Sequence, residues 1–120
     1  MAVFKVFHED LHIGDTDLAR GGDPPMGCAE GEFKPTESFA TFQTSVPPQA
    51  QDEPDYKIWS GLTLKMEDGS KVQCVDVVLH LVEFGDNDIE VFVDALGVSE
   101  PSYETLFPQH VEAYENQFKS

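Results

Sequence analysis

VQCVDVVLHLVEF, residues 72–84, is the stretch of sequence that decides the fold. In an extended chain its valine and leucine side chains fall on both faces, as they do in a central strand that is covered on one side by helices. We therefore expect residues 72–84 to form the central strand of an antiparallel sheet, and we place the other elements around it.

The segment before this strand predicts its first neighbour. Residues 58–66 alternate apolar side chains with other types, which is the period-2 pattern of a half-buried strand. Asp68 and Gly69 follow, and these residue types tolerate the positive φ of a tight turn. The two segments are thus predicted to form a hairpin.

The segment after the central strand predicts a third strand. Residues 85–88 are turn-forming types, and residues 89–96 are again rich in strand-forming side chains. Within this strand Glu90 and Asp94 share one face with Phe92. The three strands together make an antiparallel meander.

The two ends of the chain predict the remaining elements. Residues 2–7 and 27–33 favour strands, and residues 37–43 favour a short helix. Near the C-terminus, Ser102 is placed to cap a turn, and Pro108 suits the first position of a helix. We therefore expect an α+β fold: an antiparallel β-sheet of about four to six strands, including the C-terminal meander, with a C-terminal helix and one short helix packed on it.

Residues 1–120 are expected to form a single domain. A chain of 120 residues that is 40% hydrophobic can build a core without disulfides or metals. Residues 43–56 predict a long, acidic, proline-rich loop. Cys28 and Cys74 are interpreted as core thiols, and a disulfide between them is left open as the alternative.

The charge of the chain limits its partners. There are 23 acidic and 7 basic residues, which gives a formal charge of -16, and residues 72–118 contain no Lys or Arg. Such a surface repels nucleic acid phosphates and anionic lipid, whereas it attracts a basic protein. The sequence therefore argues against direct nucleic acid binding and against a membrane partner. With no apolar leader and no apolar run of about 18 residues, we predict a cytoplasmic protein.

HEDLH, residues 8–12, matches the HExxH pattern of zinc proteases. That chemistry needs His8 and His12 on adjacent turns of one helix, with Glu9 aimed at a metal-bound water. The residues before the motif favour extended chain, and Gly14 follows too soon for a helix. On a strand, the two histidines would face the same way about 13 Å apart, which is too far for one zinc ion. A zinc-dependent hydrolase is therefore an alternative only.

Two further clusters are weaker candidates for chemistry. Cys74 and His80 lie about 20 Å apart on a strand, which excludes them as a nucleophile and its base. Asp86, Asp88 and Glu90 have the oxygen atoms that calcium prefers, but their spacing falls short of an EF-hand loop. We predict no catalytic residue, no metal and no cofactor.

The leading functional hypothesis is an acidic binding protein that neutralises a basic protein, as an immunity protein neutralises a toxin. The basic partner would be a toxin or a DNA-binding protein. A small domain of structural role without catalysis is the other alternative. The predicted partner-binding residues are aromatic and acidic side chains of the meander and of the loop before it: Tyr56, Trp59, Asp86, Asp88, Glu90, Phe92 and Asp94.

Overall fold

The structure is a computed structural model, and it describes residues 3–48, 50–51, 56–83, 88–99 and 102–117. Within these ranges there are ten strands: β1 (Phe4–His8), β2 (Leu11–Thr16), β3 (Gly21–Asp23), β4 (Cys28–Glu32), β5 (Lys34–Pro35), β6 (Ala50–Gln51), β7 (Tyr56–Trp59), β8 (Thr63–Met66), β9 (Asp76–Glu83) and β10 (Ile89–Leu96). The helices are α1 (Ser38–Ser45), α2 (Tyr103–Leu106) and α3 (Pro108–Asn116), with one turn of 3-10 helix at Pro24–Met26.

The strands form two antiparallel sheets. The six-stranded sheet has the order β3-β4-β10-β9-β7-β6, and the four-stranded sheet has the order β5-β2-β1-β8. Each neighbouring pair of strands runs antiparallel. The predicted α+β class with an antiparallel sheet is confirmed, but the sequence did not predict that the strands divide between two sheets.

The predicted central strand is β9, which lies between β7 and β10. It begins at Asp76 rather than at residue 72, because the chain before it follows β8 instead: the Val72 amide donates to the Leu64 carbonyl at 2.9 Å. Val77 and Leu79 point to its inner face and are fully buried. The prediction that this strand organises the fold is confirmed.

The inner face of the six-stranded sheet meets the four-stranded sheet. Phe4 and Val6 of β1 belong to the same hydrophobic cluster as Leu79 of β9 and Val93 of β10, and all four side chains are 0% exposed. Helix residues join this cluster, but the helices do not cover the sheet alone as the sequence suggested. One core therefore lies between the two sheets. We call the face of the six-stranded sheet that points away from this core its outer face.

The predicted strand at residues 58–66 is two strands, β7 and β8, that belong to different sheets. Gly61 lies between them with a φ of 72°, in the left-handed region that glycine adopts readily. This residue turns the chain from the six-stranded sheet into the four-stranded one. The predicted meander of three consecutive strands is therefore wrong: β7, β9 and β10 are neighbours in the six-stranded sheet, but β8 lies between β7 and β9 in the chain and pairs with β1.

The helices agree with the sequence-based expectations. The Ser102 hydroxyl accepts a hydrogen bond from the Thr105 amide at 3.3 Å, and Pro108 opens α3. In α1 the buried residues are Phe39 and Phe42. Within the described ranges, no helix combines the length and apolar character needed to cross a membrane.

The segment predicted as a long loop, residues 43–56, contains regular secondary structure, and its last residue, Tyr56, begins β7. Residues 43–45 belong to α1, and Ala50–Gln51 pairs with β7 as the edge strand β6. Residues 49 and 52–55 lie outside the described part of the chain. Elsewhere, Cys28 and Cys74 are free thiols, but they are half-buried rather than in the core as predicted, and Cys74 packs against the edge of the core.

Candidate functional site

The HEDLH segment forms a hairpin turn and not a helix. In the pairing of β1 with β2, His8 lies opposite Leu11 and Phe7 lies opposite His12. Glu9 and Asp10 are therefore the two turn residues, and Glu9 has a φ of 55°. The continuous strand that we considered for this segment is wrong, because the chain reverses within the motif.

This hairpin separates the two imidazoles. Side chains that face each other across a strand pair share a face, and consecutive side chains alternate, so His8 and His12 point to opposite sides. The His8 ring packs against Phe42, and His12 Nε2 lies 2.7 Å from Asp15 Oδ1. Among the residues that the structure describes, no group of three or more His, Cys, Asp or Glu side chains could hold a metal. The geometry therefore gives no support to a zinc site here.

The predicted contact residues lead instead to the outer face of the six-stranded sheet. Strand register arranges this face in three rows that cross the sheet. The rows are Glu32, Phe92, His80 and Ile58; Glu30, Asp94 and Val78; and Glu90, Val82 and Tyr56. The half formed by β4 and β10 is therefore acidic, and we call it the acidic half. The half formed by β9 and β7 is mainly apolar and aromatic, and we call it the apolar half.

His80 lies at the junction of the two halves. Its ring stacks on Phe92, with ring centroids 4.6 Å apart and planes 10° from parallel. Its Nδ1 lies 2.8 Å from the Tyr56 hydroxyl oxygen. Its Nε2 lies 2.9 Å from Asp94 Oδ2, within the distance of an ion pair but without the alignment of a hydrogen bond. His80 thus links aromatic and acidic side chains from three strands, and its side chain is only 14% exposed.

Arg20 reaches the acidic half from the loop that follows β2. Its Nη1 lies 2.6 Å from Glu90 Oε1, and its Nε lies 3.6 Å from Glu30 Oε1. Its Cζ lies 5.4 Å from the centroid of the Phe92 ring, which is the distance of a cation-π contact. One guanidinium therefore contacts two carboxylates and one aromatic ring.

The carboxylates of the acidic half repel one another. Burial first, and then the neighbouring Asp94 carboxylate, raise the pKa of Glu30 above its ordinary value of 4.5, while the Arg20 guanidinium opposes this shift. The direction of the shift means that the folded protein holds a proton on Glu30 more readily than the unfolded chain does. A further positive charge at this place would relieve the repulsion.

An open cleft of about 870 Å³ adjoins the acidic half. Arg20, Phe33 and four acidic residues contribute to its walls. The acidic side chains that line it are Asp17, Glu32, Asp88 and Glu90. This combination of charge and shape suits a positively charged side chain of a partner rather than an anionic ligand.

The structure brings four of the seven predicted contact residues to one face: Tyr56, Glu90, Phe92 and Asp94. Asp88 is exposed and lines the cleft, and Asp86 lies outside the described residues. Trp59 requires a correction, because it is 2% exposed and its Nε1 donates to the Val46 carbonyl at 2.9 Å. It neighbours Ile58 along β7 and so points to the inner face, where no partner reaches it.

Arg20, Glu30 and Glu32 belong to this face but were not predicted from the sequence. The alternation of Glu30 and Glu32 with Ala29 and Gly31 was a usable signal for two outward carboxylates on one strand. Glu30 and Glu32 lie beside β10 because β4 pairs with β10, which follows it by some sixty residues in the chain. No local sequence pattern reveals such a distant pairing. His80, which the sequence argued against as a base for Cys74, is half-buried, and its Nδ1 lies within hydrogen-bond distance of the Tyr56 hydroxyl.

Comparison with known proteins supplies no family for this arrangement. No family model matches the chain, and neither a curated protein nor a solved structure matches it significantly. Functional inference therefore depends on the outer face itself.

Proposed function

We propose that this chain is a binding protein that neutralises a basic protein by docking it on the outer face of the six-stranded sheet. The observation that supports the proposal is the juxtaposition of the acidic half and the apolar half on one sheet face. Such a face offers charge complementarity and apolar contact area together.

The two halves have different tasks in this proposal. The carboxylates of the acidic half attract a positively charged partner and select it against neutral or acidic proteins. In the apolar half, Ile58, Val78 and Val82 are only half-buried, so a partner that covers them removes further apolar surface from water. Phe92 belongs to both contacts, because it adjoins the carboxylates and stacks on His80.

The proposed neutralisation depends on the ordinary role of the partner's cationic surface, which is to bind nucleic acid. A toxin or DNA-binding protein uses its cationic surface to hold nucleic acid phosphates, and an acidic protein that covers the same surface excludes them. Among the described residues, Arg20 is the one Lys or Arg that contacts the acidic half, through Glu30 and Glu90, so Glu32 and Asp94 have no such contact. We place this action in the cytoplasm, as part of the proposal.

The test compares two variants that lose the same number of negative charges, one on the acidic half and one elsewhere on the surface. One bait carries Glu30→Gln, Glu32→Gln and Glu90→Gln on the acidic half. The matched control carries Glu104→Gln, Glu112→Gln and Glu115→Gln, which are exposed on α2 and α3. Both variants lose three negative charges, and thermal unfolding checks that both are folded. Each bait, with the unchanged protein, is used to capture proteins from a lysate of the source cells at low and at high salt.

We expect the unchanged protein and the control variant to capture the same basic protein, and the acidic-half variant to lose it. Capture should weaken at high salt because the attraction is screened. Equal capture by both variants would show that bulk charge and not the outer face is responsible. If no basic protein is captured under either salt condition, the structural-domain hypothesis would replace the proposal.

A further inference from the structure

The contacts of Arg20 show which chemical group the acidic half accommodates. Two different nitrogens of its guanidinium approach two different carboxylates, at 2.6 Å for Glu90 and 3.6 Å for Glu30. The same group lies over the ring of Phe92. A guanidinium offers several N–H donors in a planar fork to different carboxylates and can stack on an aromatic ring, whereas the ammonium of lysine is a compact point charge.

The backbone that carries Arg20 is firmly held. Leu18 is fully buried and has a φ of 51°, a left-handed conformation that is unfavourable for leucine. Its carbonyl oxygen lies 2.7 Å from His110 Nε2, and its amide donates to the Thr16 hydroxyl at 3.2 Å. The Ala19 amide donates to Asp17 Oδ1 at 3.0 Å. These contacts fix the point from which the Arg20 side chain extends.

The side chain of Arg20 is held much less firmly than its backbone. It is 48% exposed, and the side chains of Glu30 and Glu90 are each 38% exposed. Ion pairs this exposed contribute little to stability, since water and salt compete for both charges. The guanidinium can therefore leave the carboxylates while the buried loop contacts stay intact.

From these observations we propose that the acidic half is an arginine-binding site, that Arg20 occupies it in the free protein, and that an arginine of the basic partner displaces Arg20. This inference rests on the proposed function and names the partner's contact residue. The occupant is an arginine on a positively charged protein segment, because the cleft beside the site is lined by carboxylates. Arg20 thus competes with ligands for the site and lowers the affinity of the site for isolated cationic side chains.

The test uses two small probes, N-acetyl-arginine methylamide and its lysine counterpart, titrated into the full chain. Binding is followed by NMR through the ring resonances of Phe92 and His80. The variant is Arg20→Ala, and the matched control is Lys71→Ala, which removes one positive charge at an exposed position beside the four-stranded sheet. Amide spectra of both variants check that the fold is retained.

We expect the arginine probe to bind Arg20→Ala about two- to fivefold more tightly than the unchanged protein, because exposed ion pairs occupy the site only part of the time and apparent affinity falls in proportion to the unoccupied fraction. Lys71→Ala should bind it like the unchanged protein. The lysine probe should bind Arg20→Ala severalfold more weakly than the arginine probe does. In Arg20→Ala carrying Phe92→Leu this preference for arginine should disappear, while charge-driven binding remains.

Equal affinity of the arginine probe for the unchanged protein and for Arg20→Ala would overturn the inference. So would an equal gain in Lys71→Ala, which would reduce the effect to net charge, or equal binding of both probes to Arg20→Ala. These outcomes are independent of the capture experiment. The acidic-half variant could lose the partner while the probes show no preference for arginine. This result would support the proposed function and contradict the arginine site.

Discussion

The two faces of the six-stranded sheet differ in how far their side chains are removed from water, although the same strands supply both. On the inner face of β9, Val77 and Leu79 are 0% exposed. On its outer face, Val78, His80 and Val82 alternate with them and are only half-buried. A single residue step along β9 therefore separates positions that hold the core together from positions that are open to a partner.

This difference shows that the apolar content of β9 serves two purposes. The inner side chains are buried against the other sheet, and their removal from water stabilises the fold at about 25 cal/mol per Å². The outer side chains keep part of their apolar surface exposed in the free chain, and this surface becomes buried only when something covers the face. Stability and binding should therefore respond to mutations on opposite faces, and three experiments test this division.

The largest effect is expected from Leu79→Ala compared with Val78→Ala. Leu79 is fully buried, so truncation leaves a cavity and should lower the free energy of unfolding by about 2–5 kcal/mol. Val78, one residue away on the outer face, is half-buried and should cost about 1 kcal/mol or less. Urea unfolding measures both. Similar losses for the two variants would mean that the outer face is as closely packed as the inner one.

A second, smaller contrast uses two glycines of adjacent strands. A Cβ on Gly31 would lie only 2.6 Å from the Leu18 Cα, whereas a Cβ on Gly21 meets nothing within 4 Å. Gly31→Ala should therefore cost about 1–3 kcal/mol through displaced backbone, and Gly21→Ala should be close to neutral. Thermal unfolding of the two variants provides the measurement. A neutral Gly31→Ala would indicate that the loop bearing Leu18 yields easily, against the firm support inferred for the Arg20 backbone.

The smallest effect is expected from Glu30→Gln on the outer face, and it depends on pH. Because the pKa of Glu30 is raised above 4.5 in the folded state, the folded protein binds more protons than the unfolded chain between these two values. Stability therefore falls as pH rises through this interval, and the loss persists above it. Replacing Glu30 by Gln removes the loss.

Glu30→Gln should consequently have a higher Tm than the unchanged protein at neutral pH, and the difference should shrink as the pH is lowered below the ordinary carboxyl pKa. Thermal unfolding across this pH range, with Glu112→Gln on α3 as the exposed control, measures it. A lower Tm for Glu30→Gln at neutral pH would show that the ion pair with Arg20 outweighs burial and the repulsion from Asp94.

Local patterns predicted most of the elements because the cause of each element is local. The cap at Ser102, the proline that opens α3 at Pro108 and the valine-rich β9 were all recognisable in the sequence. The second sheet was not predicted, because residues 58–66 alternate without interruption on both sides of Gly61. The change of sheet depends on the backbone conformation at Gly61, and a period-2 pattern of side chains carries no information about that conformation.

The site was predicted only where one strand supplies it. Glu90, Phe92 and Asp94 share a face of β10, so alternation alone was enough to group them. Arg20 and Glu30 join them through the pairing of β4 with β10 and through a loop whose path depends on buried contacts of Leu18. The error on Trp59 arose from counting an aromatic residue as exposed without knowing which face of β7 turns inward.

The burial of Trp59 has a practical consequence for spectroscopy. It is the single tryptophan of the chain, and its indole lies in the core with its ring centroid 5.5 Å from that of Phe42. Its fluorescence should therefore change sharply when the chain unfolds and stay nearly constant when something docks on the opposite side of the sheet. One emission signal can thus separate a variant that has lost its core from a variant that has lost only its ligand.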